Sequence, residues 1–162
     1  MFSIKKLRLG LQNISKRVIN KLSNLKGNRQ DIAKGFATGV AVSFTPFVGF
    51  HMLISLIVAT LLKQNKIAAT LGTIFGNPWT FPLIWYLTLH LGVFLLGGRF
   101  DMPVNFKEFF DDLYHSIISL DIDMFIRDIL PILIPMLIGS IPCFVVAWFA
   151  TYHLIYKVLK RR

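Results

Sequence analysis

Three long stretches of this 162-residue chain contain no charged residue, and prolines and glycines interrupt each of them. They cover residues 35–62, 67–98 and 129–156. A charge-free apolar stretch of about 18 residues or more is a candidate membrane span. A backbone opened by proline finds no water inside a bilayer, so an interrupted span persists only where protein or a wet cavity covers it. The sequence therefore predicts an all-α integral membrane protein whose functional positions lie at the breaks.

The composition fits a membrane-embedded chain with one domain. Hydrophobic residues make up 54% of it and the mean hydropathy is +0.60, which is too apolar for a soluble domain of this length. Cys143 is the single cysteine, so an intrachain disulfide is excluded. Residues 1–30 are basic and amphipathic and lack the compact apolar core of a secretory signal. We therefore predict a membrane-surface helix over residues 1–30 and a single membrane domain over residues 31–162.

Basic and acidic residues are concentrated in different segments of the chain. Residues 1–34 hold nine Lys and Arg residues and one acid, whereas residues 99–128 hold seven acids and three basic residues. Four more basic residues lie within 157–162. Segments rich in Lys and Arg are retained on the cytoplasmic side of a membrane. We therefore predict a multi-pass protein with both termini in the cytoplasm and an acidic outer loop at residues 99–128.

This placement requires the first two apolar stretches to cross the membrane once between them. The halves of the first stretch, residues 35–45 and 50–62, reach only ~17 and ~20 Å as helices, against a hydrocarbon core of ~30 Å. Because the basic link at residues 63–66 favours the cytoplasmic side, we predict a re-entrant helical hairpin that turns at residues 45–49. The second stretch breaks at residues 77–82 and is then a broken span or a second re-entrant element. If the link lies outside, the two stretches exchange these roles.

The N-terminal segment has apolar residues at steps of three and four, which indicates one apolar stripe on a helix. The stripe consists of Ile4, Leu7, Leu11, Ile14, Val18, Leu22 and Leu25. A basic amphipathic helix of this kind is predicted to lie on the anionic cytoplasmic leaflet, with a coiled-coil dimer as the alternative. The predicted membrane-surface residues are Lys5, Lys6, Arg8, Lys16, Arg17 and Lys21. Lipid head groups account for this charge, so no nucleic-acid partner is predicted.

The first two breaks carry most of the polar groups that are of functional interest. Each places Thr or Asn directly before a proline and aromatic residues after it. Paired interrupted segments indicate a midplane binding site in transporters. The structural alternative is a pair of tightly packed hairpins with small residues, Gly35, Gly39, Gly72 and Gly76, at the contacts. The predicted ligand-binding residues are Thr45, Pro46, Gly49, His51, Asn77, Pro78, Thr80 and Pro82.

Features that would indicate an enzyme or a metalloprotein are missing from the sequence. The three apolar stretches contain no carboxylate, and none of their serines has an adjacent base. No pattern of Cys, His and carboxylate residues has metal-ligand spacing. The pairs Asp111-Asp112 and Asp121/Asp123 fit a solvated face with a helix N-cap at Asp121. We therefore predict no catalytic residues, no metal and no cofactor.

Several short sequence motifs are specific when they occur together and in this order. They are Gly35-Phe36-Ala37, Phe44-Thr45-Pro46-Phe47-Val48-Gly49-Phe50-His51, Gly72-Thr73, Gly76-Asn77-Pro78-Trp79-Thr80-Phe81-Pro82 and Leu91-Gly92. The chain resembles the DUF2062 family of bacterial membrane proteins over residues 31–98, and elsewhere in pattern. Trp79, where an aliphatic residue is more usual, and His90, where a polar or basic residue is expected, depart from the family. The resemblance implies a small bacterial inner-membrane protein but no activity.

Some members of that family are fused to glycosyltransferase-like domains, which implies a link to the cell envelope. The first hypothesis is therefore that the protein binds or translocates a lipid or a lipid-linked envelope precursor. The alternative is a non-catalytic membrane scaffold or assembly partner for envelope machinery, acting through the basic helix and the outer loop. The predicted partners are membrane lipids, further copies of the chain that cover its broken backbone, and envelope-biosynthesis proteins.

Overall fold

The computed structural model describes residues 16–47, 49–98 and 106–161, without the side chains of residues 106, 110 and 117. Helices make up 80% of it, and the described part contains no strand. The predicted all-α class is therefore confirmed. The helices are α1 (residues 16–23), α2 (Arg29–Val42), α3 (His51–Leu61), α4 (Lys66–Gly72) with a 3-10 turn (Thr73–Phe75), α5 (Phe81–Leu95), α6 (Phe106–Ser119), α7 (Ile122–Met124), a π-helical turn (Phe125–Ile129) and α8 (Leu130–Lys160).

The chain divides into two compact units. Unit 1 comprises Met1–Val42, Gly49–Phe75 and Ala147–Arg162, and unit 2 comprises Ser43–Val48 and Gly76–Val146. The division follows the charge pattern, because unit 1 contains 15 of the 18 Lys and Arg residues but only one of the eight acids. The two predicted segments, 1–30 and 31–162, are a different division, which stays a prediction.

In unit 1, α2 and α4 run side by side in the same direction with their backbones in contact. A Cβ atom on Gly35 would meet the carbonyl oxygen of Asn65, and one on Gly39 would meet that of Ala69. Gly72 lies equally close to the carbonyl oxygen of Phe36. Only glycine permits this approach, so the predicted small-residue contacts are confirmed at these three positions.

Helix α3 returns antiparallel to α2, which makes the two a helical hairpin. The turn after α3 lies beside the start of α2, where the Asn65 backbone N–H donates to the Asp31 carbonyl oxygen over 3.1 Å. At the end of α3, Lys63 adopts a left-handed φ of 53°. Gln64 N–H then bonds to the Ala59 carbonyl (2.8 Å) and Lys63 N–H to the Thr60 carbonyl (3.2 Å), a Schellman cap.

The apolar core of unit 1 joins α1, α2, α4 and the C-terminal part of α8. Its buried members are Leu22, Ile32, Ala33, Ala68, Ile155 and Leu159. Val18 and Leu25, from the predicted apolar stripe, pack against this core beside Leu22. These three stripe residues therefore contact protein, because α8 supplies an apolar surface for them. Stripe residues 4–14 lie outside the described residues.

In unit 2, α5 packs against the N-terminal part of α8 in the opposite direction. Gly92 lies against the carbonyl oxygen of Pro135, and Gly139 against that of Thr88. The buried core consists of Phe81, Ile84, Trp85, Leu89, Val93 and Met136, with the partly buried Phe44 and Ile132. The close backbone contact again depends on glycine. At Gly92 the partner is the carbonyl oxygen of Pro135, a proline inside α8.

Within the described part of the chain, one helical segment is long and apolar enough to cross a membrane. It is Ile122–Lys160, with 39 residues, and it supports membrane association. Helices His51–Leu61, Lys66–Phe75 and Phe81–Leu95 are apolar but shorter. Acids precede α8 and basic residues end it, a pattern that complements the helix dipole.

Candidate functional site

The two predicted breaks come together in unit 2. A Cβ atom on Gly76 would lie 2.8 Å from the Ser43 hydroxyl oxygen and 3.2 Å from the Phe81 ring. The contact that we predicted at Gly76 is therefore present. Phe44 packs against the core of the same unit. The chain thus brings residues 45–47 of the first break into the unit that contains the second break at residues 77–82, whereas Gly49 belongs to unit 1.

Side chains of the second break close its loop. The Asn77 side-chain oxygen accepts hydrogen bonds from the backbone N–H groups of Trp79 (3.0 Å) and Thr80 (3.1 Å). The Thr80 hydroxyl oxygen accepts from the Asn77 backbone N–H over 3.0 Å and lies 3.1 Å from the Asn77 carbonyl oxygen, to which it can donate. Pro82 stands in the first turn of α5, where no N–H is needed. Asn77 and Thr80 therefore have a structural role; a role in ligand binding stays a prediction.

The exposed side chains of the two loops are mostly aromatic and apolar. Trp79 is 91% exposed, Phe47 is 45% exposed, and Pro78 and Pro82 are also exposed. Thr45, Pro46, Asn77 and Thr80 are half-buried. Polar groups of two loops are thus partly accessible beside large exposed apolar side chains. Such a surface suits an amphipathic ligand, with polar atoms at the loops and apolar atoms beside Trp79.

Two of the predicted ligand-binding residues belong to unit 1. Gly49 has a φ of +84°, a conformation that favours glycine, which gives it a backbone role in the turn before α3. His51 is the first residue of α3 and is half-buried. Ser55, one turn further on, is fully buried, and its hydroxyl group makes no hydrogen bond within the described part of the chain.

A buried polar cluster in unit 1 was missed by the sequence reasoning. The Thr38 hydroxyl donates to the Gln64 side-chain oxygen over 2.7 Å and accepts from the Trp148 indole N–H over 3.0 Å. Thr38 is 1% exposed and Gln64 is 8% exposed. Gln64 lies in the basic link, whose composition is typical of a solvated loop. The left-handed turn at Lys63 directs Gln64 back into the protein, a geometry for which Lys gives no sequence signal.

The remaining polar residues of the apolar helices have local partners. His90 and His153 each lie within 2.9 Å of the helical carbonyl oxygen four residues earlier. Asp121 caps α7 by accepting from the Met124 N–H over 2.9 Å, as its predicted N-cap role requires. Arg127 donates hydrogen bonds to the carboxylate of Asp128, which lies before the charge-free part of α8. Among the described residues, no group of His, Cys, Asp and Glu has a metal-binding arrangement.

The predicted membrane-surface residues fall partly within the described chain. Lys16, Arg17 and Lys21 are exposed on α1. Lys5, Lys6 and Arg8 lie outside the described residues. Their contact with lipid stays a prediction.

Comparison with known proteins identifies a family. A search of curated proteins and a search of solved structures each found no match. A family model described as "Uncharacterized protein conserved in bacteria (DUF2062)" matches residues 12–162. The match includes both breaks, the acidic segment and α8, and so extends well beyond the runs from which this family was predicted. The prediction is confirmed, and the chain belongs to the DUF2062 family.

Proposed function

We propose that the protein is a bacterial inner-membrane protein that binds, and moves across the membrane, a lipid or lipid-linked envelope precursor. Its polar head group would contact the loops at the two breaks. The observation that carries this proposal is the meeting of those loops, through Ser43 and Gly76, with half-buried polar groups beside exposed aromatic side chains.

Exposed apolar side chains support the placement in a bilayer. Large ones are exposed on α3 and α5, among them Leu61 at 74%, Leu83 at 72% and Phe94 at 75%. Along α8 they run from Ile134 to Leu154, a distance of ~30 Å at 1.5 Å per residue, which equals the thickness of the hydrocarbon core. Surfaces of this kind are stable in lipid and aggregate in water.

Helix lengths support a deep position for the breaks. Helix α2 has 14 residues and a length of ~21 Å, and α4 with its 3-10 turn measures ~16 Å. Both helices begin at the basic end of unit 1, which the positive-inside rule assigns to the cytoplasm. The loops that follow them therefore begin near the bilayer midplane, ~15 Å from either surface of the core. The α2–α3 hairpin of this proposal is then re-entrant.

The chemistry of the loops at this depth favours a polar ligand. The half-buried threonine and asparagine residues make these loops more polar than the helices around them. A lipid head group would lie against the outer side of the two loops, while its chains lie along Trp79 and the apolar helices. The same surface lets the head group pass between leaflets without entering bare hydrocarbon.

One observation favours the alternative function, a non-catalytic scaffold. Asn77 and Thr80 are hydrogen-bonded within their own loop, which explains both residues without a ligand. A scaffold would require an intact loop but would not retain a particular lipid. The two functions therefore differ in what copurifies with the protein.

The test is mass spectrometry of lipids that copurify in native nanodiscs. Trp79→Ala removes an exposed side chain with no hydrogen-bond role, so it changes the site without opening the loop. Phe94→Ala, which removes a largely exposed aromatic side chain from α5 instead, is the matched control. We expect one anionic or polyprenyl-linked lipid to be enriched with the wild type and Phe94→Ala and depleted with Trp79→Ala at equal protein abundance. The same bulk lipids in all three samples would refute the proposal and favour the scaffold.

A further inference from the structure

The basic segments of unit 1 gather at one end of that unit. The side-chain nitrogen of Asn65 donates to the Lys26 carbonyl oxygen over 3.2 Å, which joins the link at residues 63–66 to the turn between α1 and α2. Leu22 of α1 packs with Leu159 near the end of α8, which adds the C-terminal basic residues. The exposed basic residues of these segments are Lys21, Lys26, Arg29, Lys63, Lys66, Lys157, Lys160 and Arg161.

A cavity of about 180 Å³ lies at this end, between α1, the turn and the start of α2. Ser23, Gly27 and Arg29 form polar parts of its wall, and Leu22, Ile32 and Leu159 form apolar parts. A single water molecule needs only about 10–15 Å³ of such space, so the cavity has room for a group of many heavy atoms. Its lining is therefore polar on one side and apolar on the other.

The polar side of the cavity has unused hydrogen-bond donors and positive charge. Within the described part of the chain, Arg29 makes no ion pair, and the backbone N–H group of Gly27 makes no hydrogen bond. The guanidinium group of arginine donates two parallel hydrogen bonds to a phosphate. Asp31 is the one acid in unit 1, so little negative charge competes for these donors.

We propose that this cavity holds the phosphate of an anionic phospholipid from the cytoplasmic leaflet. Arg29 and the free backbone N–H group of Gly27 bind the phosphate oxygens. Leu22, Ile32 and Leu159 contact the glycerol and the first carbons of the acyl chains. This second lipid site depends on the proposed membrane placement but not on the ligand at the two breaks.

Native mass spectrometry of the full-length, delipidated protein tests the site with two probes, dioleoylphosphatidylglycerol and dioleoylphosphatidylcholine. We expect the wild type to retain one phosphatidylglycerol at low lipid-to-protein ratio. Arg29→Gln should weaken its retention about ten- to hundredfold, the range for the loss of a charged hydrogen bond. Arg17→Gln removes the same charge from exposed α1 at a position that does not line the cavity, so it should retain the lipid as the wild type does.

Three results would overturn the site. Equal weakening by Arg29→Gln and Arg17→Gln would show diffuse charge attraction, and equal retention of both lipids would exclude recognition of an anionic head group. Displacement of the lipid by millimolar inorganic phosphate would assign the cavity to free phosphate instead. Unfolding temperatures measured in parallel identify a variant that fails to fold. If Arg29→Gln fails to fold, Arg29→Lys replaces it in the test. Lysine keeps the charge but cannot donate two parallel hydrogen bonds, so this variant must give intermediate lipid retention. The result for Arg29 does not depend on whether Trp79→Ala depletes a lipid in the nanodisc experiment. The proposed function and this second lipid site can therefore be refuted independently.

Discussion

Thr38→Val is the substitution that tests the packing of unit 1 most sharply. Valine has nearly the same shape as threonine, so the change removes one hydroxyl group from a buried cluster with little change in volume. The Gln64 side-chain oxygen loses its donor at 2.7 Å, and the Trp148 indole N–H loses its acceptor at 3.0 Å. Both groups remain in the protein after the change.

The expected cost follows from the burial of the two groups that remain. A neutral hydrogen bond contributes ~1 kcal/mol net, and a buried polar group left without a partner costs ~1–3 kcal/mol. Gln64 is 8% exposed and Trp148 is half-buried, so each group has limited access to another partner. We expect a loss of ~2 kcal/mol in the free energy of unfolding, which lowers Tm by ~4–8 °C in a chain of this length.

Thermal unfolding followed by circular dichroism in nanodiscs measures this loss. Thr38→Ser keeps the hydroxyl group and loses one methyl group, so its cost should be only ~0.8 kcal/mol. Combining Thr38→Val with Gln64→Leu and Trp148→Phe removes the partners as well and should recover most of the stability. A Thr38→Val protein that unfolds at or above the temperature of Thr38→Ser would refute the assigned role of the cluster.

Three further substitutions test other contacts, each by Tm in the same nanodiscs. Gly39→Ala places a methyl group against the α4 backbone at Ala69 and should cost at least ~2 kcal/mol, whereas Gly98→Ala, which meets the Val93 side chain at 3.3 Å and the Val93 carbonyl oxygen at 3.5 Å, should cost much less; equal costs would contradict the close backbone contact at Gly39. Asn77→Ala removes two accepted hydrogen bonds and should cost ~1–2 kcal/mol, partly restored in Asn77→Ser; an unchanged Tm would return Asn77 to a purely ligand-binding role. Leu22→Ala deletes a fully buried side chain and should cost ~2–4 kcal/mol; no cost would mean that this part of α1 packs on lipid.

The breaks and the small-residue contacts were predictable because their chemistry is local. Proline at position 46 and the Asn-Pro step at 77–78 coincide with the ends of helices, as proline chemistry favours. The expected interruption of the third stretch was wrong, because Pro135 and Pro142 lie inside the continuous helix α8. Glycine spacing at 35, 39, 72 and 76 similarly indicates close backbones. The start of α2 at Arg29 was not found in this way, because a search for charge-free runs detects lipid-compatible segments and passes over charged first turns.

Other features depend on partners that are distant in sequence. Thr38 and Trp148 are 110 positions apart, and no local pattern pairs them. The sequence predicts Asn77 as a ligand-binding residue because it is a polar group in an apolar stretch. In the structure its side chain accepts hydrogen bonds that close its own loop. The apolar stripe of α1 has the same periodicity whether it faces lipid or protein, so only the structure distinguishes Val18, Leu22 and Leu25 as protein contacts.

The depth of Trp79 in the bilayer tests the proposed function most directly. With Trp85→Phe and Trp148→Phe, Trp79 is the remaining tryptophan of the three, and it is 91% exposed at the second break. Its fluorescence can be measured in bilayers whose lipids carry bromine near the head group, in the middle of the acyl chain or near the chain end. A break near the midplane predicts the strongest quenching by bromine near the chain end. The strongest quenching by bromine near the head group would place the break at the membrane surface and contradict a midplane head-group site.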